Sequence, residues 1–183
     1  MKRWIITTFF VFLILGLNAQ NVTITGRSNK TETQMRLFVY EDLLNETGIL
    51  LDQSQTDTKG HFILEGSLKQ ILPARIYVGL EYVDIILTPN AIYDIEIIVP
   101  EKQENVSYFE KELPTIRVKR ATDQGIYRQI IYSEEIINRY LIEHFNQIYR
   151  GRQMRYIDSI QNAISREVPD IKSDYVKNHN RYD

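Results

Sequence analysis

Between Val22 and Val99 apolar side chains recur at every second position, and after Gly125 they recur at every third or fourth. A strand sends successive side chains to opposite faces, whereas a helix gathers residues three and four apart on one face. The chain therefore changes architecture once, across the charged and unpatterned stretch Pro100–Pro114.

Before that stretch the apolar runs are short, rich in β-branched and aromatic residues, and closed by turn residues. They are Val22–Gly26, Arg36–Tyr40, Gly48–Leu51, His61–Gly66, Arg75–Gly79, Tyr82–Leu87 and Tyr93–Val99. Leu37 and Val39 share one face, as do Phe62 and Leu64, and Tyr93, Ile95, Ile97 and Val99 share another. Thr56–Gly60 reads as a polar hairpin turn, and Thr88–Ala91 as a type I turn with Pro89 presetting φ. Short strands at this spacing, with no helical pattern between them, predict an antiparallel β-sandwich. Thr115–Lys119 adds one more strand, for seven or eight in all. Val78 and Ile95 are expected core positions, where each buried side chain contributes about 1.5–3 kcal/mol.

After Gly125 the residues Ile130, Ile137, Leu141, Phe145 and Ile148 form a helical stripe, widened by Tyr127 and Ile131. Glu135 and Arg139 stand four apart as a weakly stabilising pair, and Gly151 suits a helix terminus. Met154, Ile157, Ile160 and Ile164 predict a second helix ending before Pro169, and Asp170–Asn178 a short third. The expected fold is mainly β with a helical C-terminal part: a sandwich over residues 20–120 and a helical appendage or connector over 121–183. The helical stripe must bury itself against the sandwich or against another chain.

The first residues read as an address. Lys2 and Arg3 precede the uncharged apolar run Ile5–Leu17, whose 13 residues suit an export signal and are too few to span a bilayer. Leu17-Asn18-Ala19 offers a small residue at a cleavage point, so residues 1–19 are expected to be a signal peptide; an uncleaved anchor is the alternative. Its removal leaves 164 residues with no stable membrane span, long enough to bury about 70% of their unfolded surface. Localisation in the periplasm, or elsewhere in a Gram-negative-type cell envelope, is expected.

Charge divides at the same boundary as architecture. Residues 21–110 hold 7 Lys+Arg against 14 Asp+Glu, while residues 111–183 hold 13 against 10. With a formal charge of −2 over the whole chain, a general nucleic-acid binder is not expected. Arg150, Arg152 and Arg155 make a basic helical face, read either as solvated surface or as a contact for an acidic partner.

Zero cysteines exclude thiol nucleophiles, disulfides and Cys-ligated metal in this chain. His61, His144 and His179 show no metal-ligand spacing. His61 reads as an outward strand-start residue and His144 as a surface histidine. Asp52, Ser54, Thr56, Asp57 and Gly60 resemble an oxygen-rich calcium loop in composition, but the EF-hand order fails. No phosphate loop or nucleophile elbow appears, and the carboxylates are scattered. The 12 tyrosines are read as interface residues with hydroxyls reaching water, or as a partner or ligand surface. No catalytic, cofactor-binding or metal-binding residue is assigned.

Thr56-Asp-Thr-Lys-Gly-His-Phe-Ile-Leu-Glu-Gly66, Ile24-Thr-Gly26 and Ile86-Leu-Thr-Pro-Asn-Ala-Ile-Tyr-Asp-Ile-Glu96 together resemble the domain of unknown function 4369 family. That family is a small β-sandwich ahead of a thioredoxin-like domain in envelope AhpC/TSA-type thiol–disulfide proteins of Bacteroidetes-type bacteria. The likeness covers about residues 21–100, and the stretch ending Tyr175–Asn180 is similar to the connector leading into the redox domain. It implies an accessory module whose partner is a protein, or a C-terminal thioredoxin-like domain outside this chain. Redox chemistry there belongs to a Cys-x-x-Cys pair, so no functional residue carries over and no cofactor is expected. The expectation is a non-catalytic exported envelope module. The alternatives are a periplasmic small-ligand or carbohydrate-binding sandwich using Tyr77, Tyr82 and Tyr93, and a hydrolase built on carboxylates.

Overall fold

The structure, a computed structural model, describes residues 21–40, 47–101, 112–150, 155–168 and 173–182. The expected leader and most of the expected linker lie outside the described residues. Eight strands come first: β1 Asn21–Ser28, β2 Gln34–Tyr40, β3 Gly48–Gln55, β4 His61–Ser67, β5 Leu72–Val78, β6 Glu81–Leu87, β7 Ile92–Ile98 and β8 Thr115–Ala121. Three α-helices follow, α1 Ile126–Glu143, α2 Arg155–Glu167 and α3 Asp174–Tyr182, with a π-helical turn at Asn146–Arg150. Among the described residues no helix is long and apolar enough to cross a membrane.

The strands form two four-stranded sheets, ordered β4–β1–β7–β8 and β3–β2–β5–β6. Their inner rows meet in one core: Val22 and Ile24, Leu37 and Val39, Phe62 and Leu64, Ile76 and Val78, Ile85 and Leu87, Ile95 and Ile97 are all buried. Alternation supplies every one of these pairs, because residues two apart return to the same face.

The expected antiparallel β-sandwich is present: five of the six strand pairs among the described residues are antiparallel, and β1 runs parallel to β7. Periodicity specifies a strand's face and not its direction. Here β2, β3, β5 and β6 make up the other sheet, β4 pairs with the far edge of β1, and β7 returns beside β1.

The turn at Thr56–Gly60 is also not a hairpin turn. β3 and β4 belong to different sheets, so this segment crosses from one layer to the other. Asp57 organises it by accepting the backbone N–H groups of Lys59 and His61. Gly60 holds φ at +82°, and a Cβ there would run into the Ser28 carbonyl oxygen. Along the same side Asp52 accepts the Glu65 N–H at 2.8 Å, tying the edge of one sheet to the edge of the other. An edge strand with occupied N–H groups is a poorer template for aggregation.

At the opposite side the chain enters α1. Asp123, 2% exposed, accepts the N–H groups of Gly125 and Tyr127, so donors at the helix start are satisfied by a side chain. Tyr127 then packs on the sandwich core. Further along, Ile136 joins Ala163, Ile164 and Val168 in a second, smaller core with Ile137, Tyr140 and Ile160 around it.

Two expectations for the helices fail. Arg139 pairs with Glu167 of α2 at 2.6 Å and not with Glu135, so the packing of α1 on α2 supplies its carboxylate. Phe145, expected on the buried stripe, is 50% exposed, while Ile148 is buried. Regular α-turns end at Glu143, and the π-turn that follows holds an extra residue per turn, which rotates the buried face.

Tyr93 is fully buried between the sheets, and its hydroxyl accepts the Thr88 N–H at 2.9 Å. Burial outweighs that hydrogen bond and pushes the phenol pKa up to about 12. The folded value lies above the unfolded value of about 10. The resulting stabilisation is therefore complete below about pH 10 and lost as the pH rises through about 12. Tyr93→Phe should cost about 1–2 kcal/mol at neutral pH in chemical denaturation. Its stability should also fall less steeply between about pH 10 and 12 than that of the unaltered chain, and equal slopes would count against this assignment. Gly60→Ala should lower stability by about 2 kcal/mol or more, read as a drop in Tm.

Candidate binding surface

Because Met35, Leu37 and Val39 point inward from β2, Arg36, Phe38 and Tyr40 point outward. On β5 the buried Ala74, Ile76 and Val78 leave Arg75 and Tyr77 outside, and on β6 the buried Val83 and Ile85 leave Tyr82 and Asp84 outside. Register places Arg36 opposite Tyr77 and Tyr77 opposite Tyr82, while Phe38 stands opposite Arg75 and Arg75 opposite Asp84. Between β2 and β5 the outer face is thus a checkerboard in which Arg36 and Arg75 alternate with Phe38 and Tyr77, and Tyr82 and Asp84 of β6 lie beside it.

The spacings are those of interacting groups. The Arg36 guanidinium lies 5.1 Å from the Tyr77 ring centre and 5.9 Å from that of Phe38. The Arg75 guanidinium lies 4.7 Å from Tyr82 and 5.0 Å from Tyr40. Phe38 meets Tyr77 edge to face at 5.4 Å, and Tyr77 meets Tyr82 at 5.5 Å. Each such contact is worth about 0.5–1.5 kcal/mol beyond the burial of area. Tyr40 is 4% exposed although it belongs to the outer row, since Gly48 opposite it leaves room for its ring across β3. Burial, and then the hydrogen bond shared with Tyr77, raise the Tyr40 pKa against the opposing charge of Arg75.

The two arginines differ in their partners. Arg75 donates from Nε to Asp84 at 2.9 Å. Burial alone would lower the Arg75 pKa, and the hydrogen bond and charge of Asp84 outweigh it and push it up. Arg36 donates from Nη2 to the Gly79 carbonyl at 3.2 Å, its buried Nε has no hydrogen-bond partner, and it has no carboxylate partner among the described residues.

Of the three tyrosines expected to line a ligand surface, Tyr77 and Tyr82 are neighbours on this face and Tyr93 is not there. It belongs to β7 of the other sheet and shares the inward parity of Ile95 and Ile97. Arg36, Phe38, Arg75 and Asp84 were not singled out from the sequence. Their signal was present in Arg36-Leu-Phe-Val-Tyr40 and Arg75-Ile-Tyr77, two runs of like parity that become adjacent once β2 pairs with β5.

The remaining candidates are structural. His61 is exposed at the start of β4 with Nδ1 3.2 Å from Asp57. The N–H groups of His61 and Lys59 hold the Asp57 carboxyl below its usual range. His144 stacks between Tyr140 at 4.2 Å and Tyr156 at 4.9 Å, joining α1 to α2. His179 belongs to α3. The oxygens of the calcium-like stretch do not converge: Asp52 accepts from Gln53 and Glu65, Thr56 from Thr33, and Asp57 from its own turn. Among the described residues no three His, Asp or Glu side chains form a metal-binding group. Arg150 is exposed in the π-turn, while Arg152 and the Arg155 side chain lie outside what is described. A shallow concavity of about 460 Å³ on the other sheet is lined by Thr25, Arg27, His61, Asp94 and Lys119. Its cations are already engaged, Arg27 with the Lys59 carbonyl and Lys119 with Glu96.

No protein-family model and no curated protein matches the chain.

The checkerboard should respond unequally to truncation. Asp84, with 66% of its side chain exposed, should cost under about 1 kcal/mol when changed to Ala. Arg75→Ala should cost more, about 1–2 kcal/mol, because it strips the contacts above Tyr40 and Tyr82 as well as the ion pair. Equal losses in chemical denaturation would contradict the ring contacts.

Proposed function

We propose that the chain is a non-catalytic binding module of the cell envelope, and that the outer face of β3–β2–β5–β6 recognises a protein partner. The observation that carries this reading is the Arg36–Phe38–Arg75–Tyr77–Tyr82 checkerboard. The outer side of an antiparallel sheet is ordinarily polar and solvated. Tyrosine and arginine dominate the affinity of protein interfaces, where rigid rings give contact area at low entropic cost. The apolar run at Ile5–Leu17 supports export, and the likeness to sandwiches preceding thioredoxin-like domains supports a redox protein, or a redox domain of a longer chain, as that partner. A carbohydrate-binding sandwich has less support, because guanidinium groups lie over the rings against which a sugar would stack.

A photo-crosslinking residue placed at position 82 in living cells tests this reading. A discrete crosslinked protein is expected from position 82 and not from position 65 on the other sheet. Tyr77→Ala combined with Arg36→Ala should abolish it, since two central contacts of this type carry about 2 kcal/mol each or more. Equal crosslinking from both faces would refute the assignment.

A further inference from the structure

We infer that the occupant of this face is an acidic polypeptide segment whose carboxylate docks on Arg36. The inference rests on the reading of this face as a recognition surface and specifies its partner. Arg75 is matched by Asp84, so the face carries one cation without a counter-charge among the described residues. Arg36 is held between the Phe38 and Tyr77 rings and fastened to the Gly79 carbonyl. Much of its rotamer freedom is therefore already lost, and a ligand that engages it avoids that cost. A partly buried cation lacking a carboxylate is also electrostatically incomplete, and a charge-assisted bond from guanidinium to carboxylate is the strong interaction available to it.

Apolar contacts flank this anchor. Leu50 and Tyr82 are 46% and 43% exposed on the same face, and Leu80 is 93% exposed directly after Gly79, at the tip of the β5–β6 turn. A lone exposed leucine means little, but this one adjoins the residue that fixes Arg36. The geometry suits a short segment with a Glu or Asp next to leucine-like side chains. Residues 21–110 hold 14 Asp+Glu against 7 Lys+Arg, so most of the strands disfavour such a segment, and β8, with Arg117, Lys119 and Arg120, is the exception. Repulsion around one attractive position is how register and partner are selected.

Amide NMR titration of the chain with three probes tests the inference: acetyl-Leu-Glu-Glu-Leu-amide, its glutamine counterpart, and cellotetraose. The acidic peptide should shift the amides of Phe38, Tyr77 and Leu80. Its binding should weaken about tenfold or more in Arg36→Gln and with the glutamine peptide, and less in Arg36→Lys, which keeps the charge without the fork. Higher salt should weaken it too. The glutamine peptide keeps the test valid if Arg36→Gln does not fold. Shifts of these amides by cellotetraose alone would overturn the acidic occupant while leaving the recognition surface standing. Equal binding of both peptides, or binding of the acidic peptide to the β8 face around Lys119, would overturn the inference. No shift from any probe would overturn it as well, and position-82 crosslinking then decides whether the surface itself fails.

Discussion

Side-chain parity is the constraint on which this molecule depends. Once Leu37 and Ile76 enter the space between two sheets, their neighbours Arg36, Phe38, Arg75 and Tyr77 have no choice but to face outward. A slip of one residue would bury two arginines and expose the core, so burial of the inner row and composition of the outer row are one event. The register that aligns Arg36 with Tyr77 is thus enforced by apolar residues on the far side of the strand. The face inherits its rigidity from the core.

The sandwich closes its two open sides differently. Along the β3–β4 side, backbone and side-chain hydrogen bonds do the work, through Asp52, Asp57 and the glycine that lets the crossing turn press against Ser28. Along the other, buried Asp123 orients α1 so that Tyr127 reaches the core. From there α1 carries a second hydrophobic cluster that is far smaller than the first. A cluster of that size gives limited stability by itself, and the contact of α1 with the sandwich supplies the rest.

The outer face shows how one residue pair can serve two ends. Arg75 and Asp84 satisfy each other, and the guanidinium still covers two rings, so that pair is structural. Arg36 makes ring contacts of the same kind with a carbonyl in place of a carboxylate, so among the described residues its charge has no partner. Aromatic neighbours hold a cation in place without neutralising it.

Much of this was legible in the sequence. The strands before Pro100, the change of period after Gly125, and the buried Val78 and Ile95 all follow from side-chain spacing, because spacing is a local property of backbone geometry. Tertiary structure alone decided which strands became neighbours: that β1 lies parallel to β7, that the Thr56–Gly60 turn changes sheets, and that Arg139 meets Glu167. It also brought Arg36 beside Tyr77 across 41 positions of chain, which no local period encodes. The physical reason is that periodicity specifies a face, whereas adjacency depends on how the whole set of faces packs around one interior.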